Sequence, residues 1–217
     1  MKYNTHLKYL GLSRNGIGPE GALLIAELIT HNSSLKDLNL KDNSLGSSVV
    51  QIFQSLEKNT TLSSLELSYN QIGTEGFIGI SQYLTNLSIK SLNLLNITPI
   101  VKLDGFKHLF KSLKHNTTLK SLILNGRELQ IVKGGQFIDK YMIKNSTLSN
   151  LDMLEIRTHF TNIQSFPDVE HIRLKYLLDN QSLTSLNIDC NHFGTENVLE
   201  LLKALTYNTT LRKLSII

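Results

Sequence analysis

The chain has 217 residues, a formal net charge of +4 and a single cysteine, and 41% of its residues are hydrophobic. This length is enough for one sizeable core, whereas one cysteine excludes an internal disulfide framework. No apolar run approaches the roughly 20 residues that cross a bilayer. The first ten residues, MKYNTHLKYL, lack the apolar segment of a signal peptide. These features favour a cytoplasmic protein that binds no membrane.

The basic residues are spread along the chain rather than grouped in one block. Several lie at the ends of predicted helices, such as Lys58, Lys114 and Lys144, where the helix dipole favours a cation. The sequence has no basic stripe with interleaved aromatic residues. It therefore predicts no nucleic-acid partner.

Seven Asn-x-Ser/Thr triplets, the formal acceptors of N-linked glycans, recur along the chain. The apolar residue that follows each triplet marks a repeat, and Leu7 has the same phase. Self-similarity with a period of 27 to 35 residues predicts a stacked solenoid, here one domain over residues 1–217. About seven units start near Leu7, Leu35, Leu62, Ile89, Leu119, Leu148 and Leu183, and a partial unit starts at Leu211.

Each regular unit opens with the phrase L-x-x-L-x-L-x-x-N-x-Φ-G, where Φ is apolar, at residues 7–18, 35–46, 62–73 and 183–194. The alternation of leucines predicts a short strand with one buried face. An asparagine follows each strand, and its inward amide is expected to bond loop backbone in its own and neighbouring repeats. These structural asparagines are Asn15, Asn43, Asn70 and Asn191.

The second half of each unit is predicted to be helical. Counted back from the triplet asparagine, apolar residues at −3, −6, −7 and −10 form one helical face, as in residues 49–56. The asparagine falls just past the helix end, where it tolerates the left-handed conformation, and the Ser or Thr then bonds local backbone. This constant phase favours a structural role over glycosylation for Asn32, Asn59, Asn86, Asn116, Asn145, Asn180 and Asn208.

These phrases resemble the leucine-rich repeats of the ribonuclease-inhibitor type, and the resemblance covers essentially the whole chain. It implies a right-handed α/β solenoid with a parallel sheet on the concave side and α-helices on the convex side. Members include ribonuclease inhibitor, Ran GTPase-activating proteins, NOD-like receptor sensing regions and effectors injected into host cells. Most bind a protein on the concave face or its edges, so a protein-binding scaffold without a cofactor is expected. The Asn, Lys and Ile usage resembles the cytoplasmic or injected-effector branch.

Neither end of the repeat array looks capped. The chain begins inside the tail of a unit, YNTHL, and stops on a predicted strand, LRKLSII. Solenoids need a polar end repeat to cover the last apolar layer. The chain is therefore expected to be a fragment of a longer array, or to have its ends covered by a partner or by self-association.

Units four to six depart from the repeated phrase. Ile97, Arg127 and Ile156 occupy the position of the structural asparagine, and the unit from Leu148 carries the longest insertion, within 157–173. Solenoids place insertions on loops, often on the binding face. We therefore expect a partner to contact this irregular zone.

Most outward strand positions are small, polar or charged, but three apolar residues occur in consecutive units of the irregular zone. An exposed apolar patch with an acidic rim is typical of a protein contact. A locally shifted register is the alternative, since a one-residue slip would turn Leu95 or Leu154 into the core. The predicted patch is Leu95, Ile123 and Leu154, with Glu66, Asp152 and Asp189 as its rim.

Motifs of enzymes are weak in this chain. VKGGQF at 132–137 lacks the spacing of a phosphate-binding loop, Cys190 has no evident base partner, and the histidines lack zinc-ligand spacing. The sequence thus predicts no catalytic residue and no metal. Two alternatives remain open: a secreted glycosylated recognition protein, and a GTPase activator analogous to the Ran activators. The activator would use Arg14, Arg127 or Arg157.

Overall fold

A single parallel sheet organises the molecule. The computed structural model describes residues 4–95, 101–125, 138–154, 179–188 and 194–216. Within these ranges eight strands pair in chain order, and each begins two residues after the apolar residue that opens its unit. The strands are β1 (Tyr9–Gly11), β2 (Asp37–Asn39), β3 (Ser64–Glu66), β4 (Ser91–Asn93), β5 (Ser121–Asn125), β6 (Asn150–Leu154), β7 (Ser185–Asn187) and β8 (Lys213–Ser215).

Helical segments lie between consecutive strands, apart from the connection from β6 to β7, of which residues 155–178 lie outside the described residues. The chain is an α/β solenoid as expected. Helix α1 begins with Pro19 and Glu20 in its first turn, where a fixed φ and a negative charge are both favourable. Shorter helical turns cover Gly46–Ser48, Leu84–Asn86 and Ile138–Met142. The α-helices are α1 (Gly18–His31), α2 (Val49–Leu56), α3 (Gly73–Tyr83), α4 (Leu103–Leu113) and α5 (Gly194–Leu205).

The strands align without a register shift. The central leucine of each strand lies level with that of the next, from Leu10 to Leu214. In β2 to β7 this leucine is fully buried, whereas the residues on either side of it are half-buried. The predicted alternation is therefore confirmed, and the leucines of successive repeats form one continuous core.

The predicted apolar helix face is confirmed in α2 and α4, where all four positions are buried. Between α3 and α4 the rings of Phe77 and Phe106 meet edge to face, with centroids 5.4 Å apart. Helix α5 differs, because Leu201 is buried but Val198 and Leu202 are 36% and 54% exposed.

One set of asparagines joins the loops that follow the strands. The amide nitrogen of Asn43 donates to the Leu12 carbonyl at 2.7 Å, and its side-chain oxygen accepts from the Asn15 backbone at 2.9 Å. Asn70 repeats this arrangement one unit later, donating to the Leu40 carbonyl at 2.8 Å. Asn43 and Asn70 are fully buried, and Asn15 is exposed. Asn191 lies outside the described residues.

A second set joins the turns that precede the strands. The amide of Asn59 donates to the carbonyls of Ile29 and Asn32, both at 2.8 Å. Its oxygen accepts from the backbone of Thr61 and Leu62. Four other asparagines also donate to a carbonyl of the preceding repeat and accept from a backbone N–H group of their own turn. We call this buried set the amide ladder: Asn32, Asn59, Asn116, Asn145 and Asn180.

The amide ladder bears on glycosylation. An N-linked glycan is attached to the side-chain nitrogen of asparagine. In the amide ladder that nitrogen is buried and donates to a carbonyl of the preceding repeat. The folded chain therefore has no room for glycans at these five positions.

Two expectations about the triplets are wrong. Asn32 follows α1 with φ −93° and ψ 127°, which is extended rather than left-handed, because its side chain already fixes the turn through Ser34 and Leu35. Asn86 is exposed and closes a helical turn instead of joining the amide ladder. Its neighbour Leu87 is buried at a position that is exposed in the other described triplets.

No helix in the described ranges has both the length and the apolar character needed to cross a bilayer.

The contrast between Asn116 and Asn86 gives a stability test. Asn116→Ala leaves two backbone N–H groups and the Leu84 carbonyl without their side-chain partner. We expect it to lower the free energy of unfolding by about 2 to 4 kcal/mol. The matched Asn86→Ala should change it by less than about 0.5 kcal/mol, because Asn86 is exposed. Urea unfolding followed by circular dichroism measures both, and equal losses would contradict the assigned role of the amide ladder.

Candidate functional site: the outward face of the sheet

The residues that alternate with the buried leucines form the outward face of the sheet, called the sheet face below. From β2 to β7 its first row is made of small polar groups, such as Asp37, Ser64 and Ser121, and Tyr9 and Lys213 continue this row at its two ends. The second row contains Asn39, Glu66, Asn93, Ile123, Asp152 and Asn187. From β2 to β7 the members of both rows are half-buried, which gives this part of the face low relief, whereas Tyr9 and Lys213 are exposed.

Leu95 and Ile123 lie on the sheet face and not in the core. Both are half-buried, whereas their chain neighbours Leu94 and Leu124 are fully buried. The β4–β5 pairing also keeps the register of the rest of the sheet. The shifted-register alternative is therefore wrong for Leu95. For Leu154 the structure places the backbone at the end of β6, level with Asn125, and its side chain lies outside the described residues.

The three apolar residues do not share one row. Ile123 lies level with Asn93 on one side and Asp152 on the other. Leu95 comes two residues after Asn93, at the level where Asn125 pairs with Leu154. The predicted patch is thus a diagonal arrangement across three strands, with polar residues between its members.

The acidic rim is partly fixed by hydrogen bonds. One carboxylate oxygen of Glu66 accepts from the Asn93 amide at 2.7 Å, and the other accepts from the Ser68 backbone at 2.8 Å. The Asn93 side-chain oxygen accepts in turn from the Leu95 backbone at 2.9 Å. This chain of bonds connects the rim to the patch. Asp152 is half-buried beside Ile123, and Asp189 lies outside the described residues.

Sequence reasoning missed how the second row is held. Asn39, Glu66 and Asn93 each accept a hydrogen bond from the backbone N–H two residues further on, at 3.0, 2.8 and 2.9 Å. The signal was available, since an amide or an acid occupies the same position in three consecutive units. Side chains fixed in this way lose little conformational freedom when a partner binds.

The groups considered for catalysis do not assemble into a site in the part of the chain that is described. Arg14 forms an ion pair with Asp42 at 3.6 Å, and its side chain is 75% exposed. Arg127, Arg157 and Cys190 lie outside the described residues. No group of three or more His, Cys, Asp or Glu side chains that could hold a metal ion occurs within the described ranges.

Comparison with known proteins agrees with this architecture. A family model described as "Leucine Rich repeat" matches residues 3–26, 31–48, 58–81 and 179–201. Ribonuclease inhibitor of Mus musculus is 25% identical over 217 residues, which is 99% of this chain. The repeats of this chain are leucine-rich repeats, and the chain is similar to ribonuclease inhibitor over nearly its whole length. The matched segments leave out residues 82–178, where the repeated phrase is irregular.

Two further relatives extend the comparison. Protein CARMIL of Dictyostelium discoideum is 22% identical over 220 residues, 98% of this chain. The chain spans 20% of that protein and 46% of the ribonuclease inhibitor. A solved structure titled Leiomodin-1 Actin-Binding Site 2 shares the fold, with a TM-score of 0.57 and 21% identity over 65% of this chain and 82% of that one.

The placement of Ile123 can be tested against its neighbour. Leu122→Ser puts a hydroxyl into the core and leaves a cavity, so we expect a loss of about 3 kcal/mol or more in the free energy of unfolding. Ile123→Ser, on the half-exposed sheet face, should cost about 1 kcal/mol or less. Urea unfolding of the two variants measures both values. If Ile123→Ser lowered the free energy of unfolding as much as Leu122→Ser, Ile123 would belong to the core and could not form part of the patch.

Proposed function

We propose that this chain is a binding scaffold that docks a protein partner on the sheet face, with contacts centred on units four to six. The observation that carries the proposal is the partial exposure of Leu95 and Ile123 on the sheet face beside an acidic rim. Protein interfaces commonly have an apolar centre surrounded by polar groups. The proposed partner presents an apolar side chain that is flanked by hydrogen-bond donors or basic groups.

The rigidity of the sheet face supports this mode of binding. The strands keep one register through β1 to β8, and buried asparagines join most repeats to the preceding one, as Asn59 and Asn70 do. Glu66 and Asn93 are already hydrogen-bonded to each other in the free chain. A preformed surface needs little ordering on association, so more of the contact energy appears as affinity.

The two apolar side chains of the patch alone contribute modestly to the free energy of binding. Full burial of one aliphatic side chain is worth about 1.5 to 3 kcal/mol, and Leu95 and Ile123 are already partly covered. The two together therefore supply only part of a micromolar affinity, which needs about 8 kcal/mol. The proposal consequently requires polar contacts along the rows, including the rim at Glu66 and Asp152.

The names of the similar proteins suggest partners to try first. One relative is a ribonuclease inhibitor, and one solved structure is titled as an actin-binding site. Purified ribonuclease and purified actin are therefore the first two candidates. The proposal also includes action inside a cell, either in the chain's own cytoplasm or as an effector in a host cytosol, which makes eukaryotic lysate the next source of partners.

The test compares matched variants. Leu95→Asp/Ile123→Asp places two charges in the patch, whereas Leu23→Asp/Leu24→Asp makes the same change at two exposed leucines of α1, on the helix side. We expect the first to weaken partner binding at least about tenfold, because it buries unpaired carboxylates. The second should leave binding within about twofold. Biolayer interferometry with the purified candidates, then affinity capture from lysate with mass spectrometry, measures the effect.

The outcomes separate cleanly once circular dichroism shows that both variants fold. Equal binding by wild type and the sheet-face variant would remove the patch as the site. Equal loss in both variants would indicate a non-specific effect of added negative charge. Loss confined to the sheet-face variant supports the proposal.

A further inference from the structure

The residues that directly precede the strands form a row of their own, distinct from the two rows of the sheet face. This row lies at the edge of the sheet where the helices end. Backbone hydrogen bonds join its members from repeat to repeat, such as Lys36 to Lys8 and Lys120 to Lys90, both at 2.8 Å. Neighbouring strands lie about 4.8 Å apart, so equivalent side chains are close. We call this the edge row; five of its eight members are basic and none is acidic: Lys8, Lys36, Lys90, Lys120 and Arg212.

The ends of the helices add further cations to the same edge. Lys58 and Lys144 directly precede the amide-ladder residues Asn59 and Asn145, and Lys114 lies two residues before Asn116. Only four residues separate Lys58 from the edge-row position at Ser63. The turns from helix end to strand therefore carry eight cations.

The charge on this edge is not matched by acids. Over the same turns the described acidic residues are Glu57 and Asp179, both exposed, so the edge has a formal charge of +6. All described residues together contain 16 Lys and Arg and 13 Asp and Glu, a formal charge of +3, which leaves −3 for the described residues outside this edge. Charge is thus strongly segregated to one edge of the solenoid. The ion pairs found among the described residues, Arg14–Asp42 and those of Asp104, include none of the eight cations.

The fold does not require lysine in the edge row. The same position is occupied by Ser63, Ser149 and Thr184. Each of their hydroxyls donates to the backbone carbonyl of the edge-row residue one repeat earlier, at 3.1 Å. Like charges on neighbouring strands are destabilising, which applies to Lys8 beside Lys36 and to Lys90 beside Lys120. These four lysines precede strands, so a helix dipole does not account for them. Serine at these positions would avoid the repulsion between neighbouring lysines. The recurrence of lysine therefore indicates that these side chains have a role other than stabilising the fold.

We propose that this basic edge is a second docking surface, which binds an extended acidic segment of a protein. The cations follow the repeat axis in a line, and an extended chain presents side chains on one face about every 6.6 Å, within reach of flexible lysines. The edge row contains lysine, arginine, serine and threonine but no aromatic residue, whereas single-stranded nucleic acid is bound by stacking on aromatics. On the described turns of this edge the exposed large apolar side chain is Tyr207, in the turn before Arg212. A single tyrosine at one end provides neither a series of stacking platforms nor an apolar surface for insertion into a membrane.

The basic edge is separate from the sheet face and opposite in charge. The sheet face carries Glu66 and Asp152 beside its apolar residues. An acidic segment would be repelled there and attracted to the edge. The two surfaces can therefore be tested independently.

The test uses residues that the chain itself places in the edge row. Lys90→Ser/Lys120→Ser introduces the side chain found at Ser63 and Ser149, so folding should be unaffected. The control Lys102→Gln/Lys107→Gln removes the same charge from exposed positions at the start and middle of α4, away from the helix end that adjoins the edge. The probe is a short fluorescein-labelled peptide of alternating glutamate and glycine, compared with its glutamine counterpart by fluorescence anisotropy.

We expect the glutamate peptide to bind wild type and the glutamine peptide not to bind. Loss of two exposed charge contacts should weaken binding about five- to tenfold in the edge variant, and the α4 control should stay within about twofold. Added salt should weaken binding further in wild type than in the edge variant. The variant Ile123→Ser should retain wild-type affinity for this peptide.

Several outcomes would overturn the proposal. Wild type could fail to bind the glutamate peptide, or both double variants could lose affinity equally, which would reflect net charge alone. Tighter binding of a short oligothymidine, or of vesicles that contain phosphatidylserine, with the same dependence on Lys90 and Lys120, would assign the edge to nucleic acid or membrane instead.

Discussion

The buried asparagine side chains between successive repeats are the interaction on which this structure depends. A turn at either end of a strand has backbone groups that neither the sheet nor the helix satisfies, and burying them unpaired costs free energy. An amide side chain satisfies both sides at once. Asn59 donates to carbonyls of the preceding repeat while it accepts from N–H groups of its own turn. This bond pattern fixes the spacing of the repeats, and the aligned leucines follow from it.

The unit around Asn86 shows how much irregularity this arrangement tolerates. There Leu87 is buried and Asn86 is exposed, so the hydrogen bonds of the next unit shift to the carbonyls of Leu84 and Leu87. The strands on either side nevertheless keep their register. The absence of an amide-ladder asparagine in this unit changes the turn but not the pairing of the strands. The outward position of Leu95 therefore survives although its own unit departs from the repeated phrase.

Much of this architecture was predictable from the sequence, because period and alternation identify a repeat and its buried face. Three features were not. The facing of Leu95 depends on a register that a single-residue slip would invert, and only the pairing of β4 with β5 decides it. The extended backbone at Asn32 depends on side-chain bonds that propensity does not describe. The edge row looked like dispersed charge, since Lys90 and Lys120 are 30 residues apart in the chain and neighbours in the fold.

A solenoid separates the positions that hold it together from the positions that define its surfaces. The central leucines of the strands recur in every unit and the amide-ladder asparagines in most units, because they hold the repeats together. The edge row instead varies among lysine, arginine, serine and threonine, and the second sheet row includes amides, acids and Ile123. Substitution in these variable rows leaves the leucine core and the amide-ladder hydrogen bonds intact. Each unit then adds one contact group at a fixed spacing, so affinity grows with the number of units engaged. This separation allows one rigid fold to carry an acidic, partly apolar face and a basic edge within a few residues of each other.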